Sequence, residues 1–241
     1  RSTAWPSIEV PGKYVMAAGA DLNGTVLDSE RYDDVVMGFR SAMDTGMVAV
    51  SFGSAELDGV QDAMILGENA DDWFGAAVDM GDVDGDGFAD ILASSPYADY
   101  GKVKDVGSVY IIRGKRSMPY LQQAGNSWSV MQGGSEGEQF GSNLKFLGDL
   151  NRDGYGDFLV FKDKSTILLF LGSLSLEGKA NAADKVSLQI VSESGGLTEA
   201  RPLGDINGDG YVDFAVKYIY TGVDTALCIF LGGSRLEDKI A

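Results

Sequence analysis

The residues best placed to do chemistry lie in "GDVDGDGFAD", Gly81 to Asp90, which packs four aspartates and three glycines into ten residues. With Asp82 as position 1, oxygen donors fall at alternate positions: Asp82, Asp84, Asp86, the Phe88 carbonyl and Asp90. Gly85 and Gly87, at positions 4 and 6, permit the tight turn that would bring these oxygens to one point. Carboxylates crowded in this way repel one another unless a cation sits among them. Five hard oxygen donors suit calcium; magnesium would keep fewer protein ligands and more water. An EF-hand is excluded, because it needs a glutamate at position 12 and flanking helices, whereas position 12 here is Ala93 and a β-like run follows.

The motif recurs. "GDLNRDGYGDFL" (148–159) supplies Asp149, Asn151, Asp153, the Tyr155 carbonyl and Asp157. "GDINGDGYVDFA" (204–215) supplies Asp205, Asn207, Asp209, the Tyr211 carbonyl and Asp213. A looser copy, "ADLNGTVLDSERYDDVV", begins at residue 20 and carries about five extra residues. It keeps Asp21, Asn23 and Asp34, with Asp28 as a candidate middle ligand, and whether it holds metal stays open. The competing reading of these loops is acidic β-turns chosen for turn geometry alone. Three in-phase copies of one five-donor spacing weigh against it, and three calcium sites are expected.

The leading aspartates Asp21, Asp82, Asp149 and Asp205 are 61, 67 and 56 residues apart, a period that suits a four-stranded propeller blade. Each loop is flanked by matching apolar runs. Before it come "KYVMAAG", "WFGAAVDM" (73–80), "QFGSNLKFL" (139–147) and "LTEARPLG". After it come "DVVMGF", "DILASS", "DFLVF" and "DFAVKY", and then a glycine-ended run: "GMVAVSFG", "GSVYIIRG", "STILLFLG" and "TALCIFLG". A fourth strand is predicted at "DAMILG", "WSVMQG" and "VSLQIV". β-branched and aromatic residues bounded by Gly and Asp, without helical periodicity, make this an all-β chain. The fourth unit lacks its last strand, and "WPSIEV" (5–10) is the candidate to supply it.

Residues 73–114, "WFGAAVDMGDVDGDGFADILASSPYAD…GSVYIIRG", resemble an FG-GAP repeat of the integrin α-subunit β-propeller family. The order is that family's: Phe-Gly strand, calcium loop, a Gly-Ala-Pro-like segment (here "SSP", 94–96) and a "G-x-V-Y" strand. The resemblance implies a β-propeller-like array of four FG-GAP-type blades, one domain over 1–241 with repeats near 11–60, 61–125, 126–183 and 184–241. Integrin propellers have seven blades, so a compact four-bladed ring, half of a shared ring and a part of something larger all stay open. It also implies an extracellular or cell-surface recognition module, with calcium structural and a protein or glycan ligand bound by propeller-face loops; weak calcium sites, empty at cytosolic calcium, suit a periplasmic or luminal compartment as well.

Composition narrows the function further. A formal charge of −17 disfavours nucleic acid and anionic membranes as partners. No apolar run reaches the roughly 18 residues of a membrane span. Histidine is absent, which removes Ser-His-Asp and Cys-His nucleophiles and His-based zinc sites. The lone Cys228 lies in a strand-like run and forms no disulfide framework. The protein is therefore expected not to be an enzyme; a carboxylate glycosidase would have to draw on Glu56, Glu68, Glu136 and Glu138, which no spacing pairs. The ligand surface is expected on "SSPYADYGKVKDVG" (94–107), at Tyr97, Tyr100, Lys102 and Lys104. The alternative is an architectural subunit that self-associates through strand edges or strand exchange. Trp5, Trp73 and Trp128 are read as packing residues before sugar platforms. Asn23-Gly24-Thr25 is also a glycosylation sequon, and a glycan there would exclude metal at Asn23.

Overall fold

The computed structural model describes residues 14–24, 26–27, 30–54, 60–192, 195–220 and 224–234. Strands run in chain order from β1 (Val15–Ala20) through a small ribbon, β2 (Val26–Leu27) and β3 (Glu30–Arg31), to β4 (Asp34–Phe39), β5 (Met47–Ser51) and β6 (Ala63–Leu66). The ribbon is the insertion of the first loop, while β1-β4-β5-β6 form an antiparallel meander. The second unit comprises β7 (Val78–Gly81), β8 (Asp90–Ser95) and β9 (Ser108–Ile112), then β10 (Leu121–Gln123) and β11 (Ser129–Gln132). The third comprises β12 (Leu144–Gly148), β13 (Asp157–Phe161), β14 (Thr166–Phe170), β15 (Gly178–Asn181) and β16 (Leu188–Val191). The fourth is β17 (Gly195–Gly204), β18 (Asp213–Tyr220) and β19 (Asp224–Phe230).

The expected meanders are all present, and the result is an all-β, propeller-like array of four sheets that stays open. Besides the β2–β3 ribbon, two strands were not foreseen. In the second and third units, the segment between the third and fourth strands reaches back to the preceding sheet. There it adds a short parallel strand, β10 on β6 and β15 on β11. Those edges are thereby covered. The candidate closing strand, residues 5–10, lies outside the described residues.

Side chains alternate between the two faces of a strand, and here each face enters a different core. Ile91 and Ala93 of β8 pack with Val36, Val48 and Ile65 of the first sheet, while Leu92 between them packs with Phe158 and Phe170 of the third. Leu159 and Phe161 likewise turn towards Phe214 and Phe230 of the fourth sheet. Central strands sandwiched in this way must be apolar at every position, which explains runs such as "TILLF". Phe74 and Phe140, the phenylalanines of the Phe-Gly pairs, are fully buried and belong to the junction with the preceding blade. The Phe140 N–H donates to the Val106 carbonyl (3.0 Å). A Cβ on Gly107 would meet the Phe140 oxygen at 2.2 Å, so the preceding blade needs glycine there.

One residue of each aspartate loop seals the next junction. Leu22, Val83 and Leu150 occupy position 2, are 0% exposed, and insert into the core shared with the following blade. Ile206 holds that position in the fourth loop and is 52% exposed, because no further sheet lies against it among the described residues. Leu150→Ala should therefore cost about 2–5 kcal/mol in denaturant unfolding, as core truncations do. Ile206→Ala should cost about 1 kcal/mol or less. Equal losses at the two positions would contradict this account of the junctions.

Candidate metal centre

The site is assembled around position 9. Asp90 is fully buried and accepts two backbone N–H bonds, from Val83 (3.0 Å) and Gly114 (3.1 Å). Asp157 does the same with Leu150 (2.8 Å) and Gly172 (2.9 Å), and Asp213 with Ile206 (3.0 Å) and Gly232 (2.8 Å). Asp34 repeats the pattern with Leu22 and Gly53, both at 2.7 Å, so the looser first loop keeps the same anchor. Each carboxylate thus ties the start of its loop to the end of the third strand of its blade. One N–H per oxygen leaves lone pairs free for a cation. The glycine at the strand end is required by space: a Cβ on Gly114 would lie 2.0 Å from the Ala89 oxygen, and one on Gly172 2.4 Å from the Gly156 oxygen.

Position 1 organises the turn. The Asp82 carboxylate accepts from the N–H groups of Gly85 (2.8 Å), Asp86 (3.1 Å) and Gly87 (2.9 Å). Asp149 accepts from Asp153 and Gly154, and Asp205 from Gly208, Asp209 and Gly210, in the same arrangement. Gly87, Gly154 and Gly210 at position 6 have φ of 88°, 91° and 90°, where a side chain would be strained. Arg152 stands at position 4 with φ of 60°, and its guanidinium lies over the Tyr211 ring of the next loop (5.2 Å). That cation–π contact, worth about 0.5–1 kcal/mol, offsets much of the left-handed backbone's ~1–2 kcal/mol.

One oxygen each from Asp82, Asp84 and Asp86 lies within 4.8 Å of the others. Oxygens around one calcium at about 2.3–2.6 Å are at most ~5.2 Å apart, so the donor set fits a single ion. Among the described residues this is the one such carboxylate group, and it does not include Asp90; the third and fourth loops share with the second the position-1 and position-9 hydrogen bonds given above. In the first loop Asp21 takes the position-1 role, accepting from Gly24 (2.5 Å), and Asn23 is buried at 6% exposure. Asn23 is thus packed into the loop and is poorly placed to carry a glycan. Asp28 lies outside the described residues.

Burial and neighbouring carboxylates act on the anchors. Desolvation, then Asp84, pushes Asp90 up to about 7, and desolvation likewise pushes Asp157 up to about 7. Asp34 and Asp82 are also raised, again chiefly by desolvation. A carboxylate raised on folding stabilises the fold below its unfolded value, near 3.9, and loses that contribution as pH rises through the folded value. Metal-stripped protein should therefore melt lower at pH ~8 than at pH ~5, and saturating calcium, which pairs with the ionised form, should remove most of that drop. A stripped protein whose melting temperature rises over this interval would refute the assignment of these anchors.

The proposed ligand loop lies at the opposite end of the second blade, since β8 runs from the aspartate loop to it. Tyr100 (61% exposed) and Lys102 face solvent there. Tyr97 instead packs edge-on against Trp73 (4.5 Å between centroids), and Lys104 is paired with Asp99. The described tryptophans are committed to packing: Arg40 covers Trp73 at 4.2 Å and Arg113 covers Trp128 at 4.3 Å. Trp5 lies outside the described residues. Glu68 accepts a hydrogen bond from the Tyr110 hydroxyl (3.2 Å), and Glu138 accepts from the N–H groups of Gly134 and Ser135.

Two residues were missed from sequence. Lys145 of β12 bonds Asp79 of β7 (2.6 Å) beside a central pocket of about 660 Å³ lined by the first strands of all four sheets. Arg113 reaches the loop carboxylate Asp84. The signal for it was visible in the repeats, where Phe52, Leu171 and Leu231 hold the same place before the glycine.

The FG-GAP repeat family matches residues 74–112, the unit with the most complete loop. Integrin alpha-PS5 of Drosophila melanogaster is 31% identical over 160 residues, covering 62% of this chain and 15% of the relative. Integrin alpha-5 of Xenopus laevis is 30% identical over 183 residues (67% and 16%), and integrin alpha-8 of Gallus gallus 34% over 155 (61% and 13%). The chain spans about 15% of the length of such relatives. With the Phe-Gly junctions, the repeated aspartate loops and the four-sheet array in place, the chain belongs to the FG-GAP repeat, integrin-α-like family.

Proposed function

We propose that the chain is a non-enzymatic recognition or adhesion module whose blade loops are stiffened by calcium. The observation that carries this reading is the donor set of Asp82, Asp84 and Asp86 gathered within 4.8 Å, in a loop type repeated in phase along the chain. The same set, with Asp90 and the Phe88 carbonyl, would hold the ion in the second blade. Asp149, Asn151, Asp153, Tyr155 and Asp157 would do so in the third, and Asp205, Asn207, Asp209, Tyr211 and Asp213 in the fourth. Asp21, Asn23 and Asp34 of the first loop are a reduced set, and the three complete loops are the sites expected to bind. Sites binding near 100 µM would each add roughly 1.4 kcal/mol at about 1 mM calcium. Three sites would then contribute about 4 kcal/mol of a typical ~5–15. They would stand empty at cytosolic calcium, so the reading places the module outside the cell or in a lumen or periplasm. Likeness to integrin α subunits supports a protein ligand, and Tyr100 and Lys102 are the exposed candidates to meet it.

Calorimetric titration with calcium, alongside melting curves, tests the metal reading. We expect saturable binding at three sites and a rise in melting temperature. Absence of both would remove the proposal. A second reading, assembly through edges, is favoured by one observation: among the described residues the fourth blade presents Ile206 and Leu227, 52% and 61% exposed, with no further sheet against them. Light scattering across a concentration series, with and without EDTA, separates the two. Concentration-dependent growth without added ligand supports assembly, and a constant monomer mass supports the recognition module.

A further inference from the structure

Position 3 differs between loops. In the third and fourth it is asparagine, and its amide donates to the position-5 carboxylate: Asn151 to Asp153 and Asn207 to Asp209, both 2.9 Å. That internal donor neutralises part of the crowding among the carboxylates. The second loop has Asp84, which has no proton to give and adds a fourth charge. Its side chain is 1% exposed, and the group opposite it is the Arg113 guanidinium, at the end of β9. The two meet as an ion pair between Nε and Oδ2, and neither atom has an aligned hydrogen-bond partner among the described residues. Arg113 is held from behind by Trp128, whose ring lies 4.3 Å from the guanidinium carbon. No other blade has this device, since the equivalents of Arg113 are Phe52, Leu171 and Leu231.

The geometry points to Arg113 as a built-in counter-cation of the second loop: it holds Asp84 in the metal-free protein and competes with a divalent cation for it. The inference rests on the calcium reading above. Counting ligand carboxylates and the cation ion-paired to one of them, the second site carries net −3, as do the three ligand carboxylates Asp149, Asp153 and Asp157 of the third and Asp205, Asp209 and Asp213 of the fourth; Arg152 of the third loop instead lies over the Tyr211 ring. Arg113 thus equalises sites of different composition. It also makes the affinity of the second site depend on a side chain outside its own loop, through an ion pair with a ligand carboxylate. A dication arriving at Asp84 must displace or screen a guanidinium already in contact, and charges at that range interact strongly in a partly buried setting.

Calcium titration followed at the amide signals of Gly87, Gly154 and Gly210 reads the three loops separately, because each N–H donates to the position-1 carboxylate of its own loop. Arg113→Leu should tighten calcium at the Gly87 loop by at least about tenfold and leave the other two unchanged. It should also lower the melting temperature of the stripped protein, since Asp84 is left buried without its partner. Should Arg113→Leu fail to fold without metal, Asp84→Asn and the double variant replace it. Asp84→Asn alone should weaken the second loop, and the double variant should restore it to within about threefold of the others. Unchanged affinity in Arg113→Leu, or equal affinities for Asp84→Asn and the double variant, would overturn the inference. If no loop of the unmodified protein binds calcium, the functional reading itself fails; if the third and fourth loops bind and Arg113 is without effect, only this inference does.

Discussion

The structure depends on one repeated constraint, a buried aspartate that accepts two backbone N–H bonds. In Asp34, Asp90, Asp157 and Asp213 one donor is the strand-end glycine of the same blade. The other is the N–H of Leu22, Val83, Leu150 or Ile206, and in the first three blades that residue's side chain packs against the next blade. One carboxylate therefore sets the blade's loop, its third strand and the aliphatic plug of the following junction together. Removing it would leave two buried N–H groups unpaired, each costing about 1–3 kcal/mol. In the second blade Asp82, Asp84 and Asp86 gather in the turn that this closure completes, so the candidate metal centre follows from how the blade is pinned.

The junctions make the array close to one-dimensional, with each blade stabilised by its neighbours. Backbone bonds run from loop to loop: the Ala89 N–H donates to the Asp21 carbonyl and the Gly156 N–H to the Asp82 carbonyl, both at 2.8 Å. The aromatic at position 7 follows the same direction. Phe88 lies over Gly24, Tyr155 over Gly85 and Tyr211 over Arg152. Only glycine fits beneath Phe88, where a Cβ on Gly24 would lie 2.6 Å from the ring. Arg152 escapes that limit because its long side chain turns the close approach into a cation–π contact.

Much of this was legible in the sequence because the signals were local and repeated. Loop spacing, strand runs and their order are written in contiguous residues, and agreement among copies removed the ambiguity of any single one. The anchoring role of Asp90 was less legible: spacing made it a ligand, whereas its N–H partners Val83 and Gly114 belong to segments that only tertiary structure unites. Strands β10 and β15 were missed because "LQQ" and "GKAN" lack an apolar alternation. They pair at sheet edges, where main-chain bonds suffice and side chains are exposed. Arg113 was legible only by comparing copies at a position that spacing rules do not address.

Among the described residues the fourth loop is the uncovered one, and this decides where a cation matters most. The second and third loops are covered by the blades that follow them, and their plugs are fully buried. The fourth loop has its anchor, but Ile206 and Leu203 are exposed and every residue from Arg201 to Asp209 faces solvent. Its order must come from the Asp213 anchor, the turn's own hydrogen bonds, the Arg152–Tyr211 contact and whatever cation its carboxylates hold. A loop already fixed by packing has little conformational freedom left for an ion to remove. An uncovered one has more, so ion binding there must also offset the entropy of ordering the loop. At equal ligand chemistry the uncovered site is therefore the weaker binder and the one whose order responds most to calcium, and covering it with a further blade would raise its affinity by supplying that order beforehand.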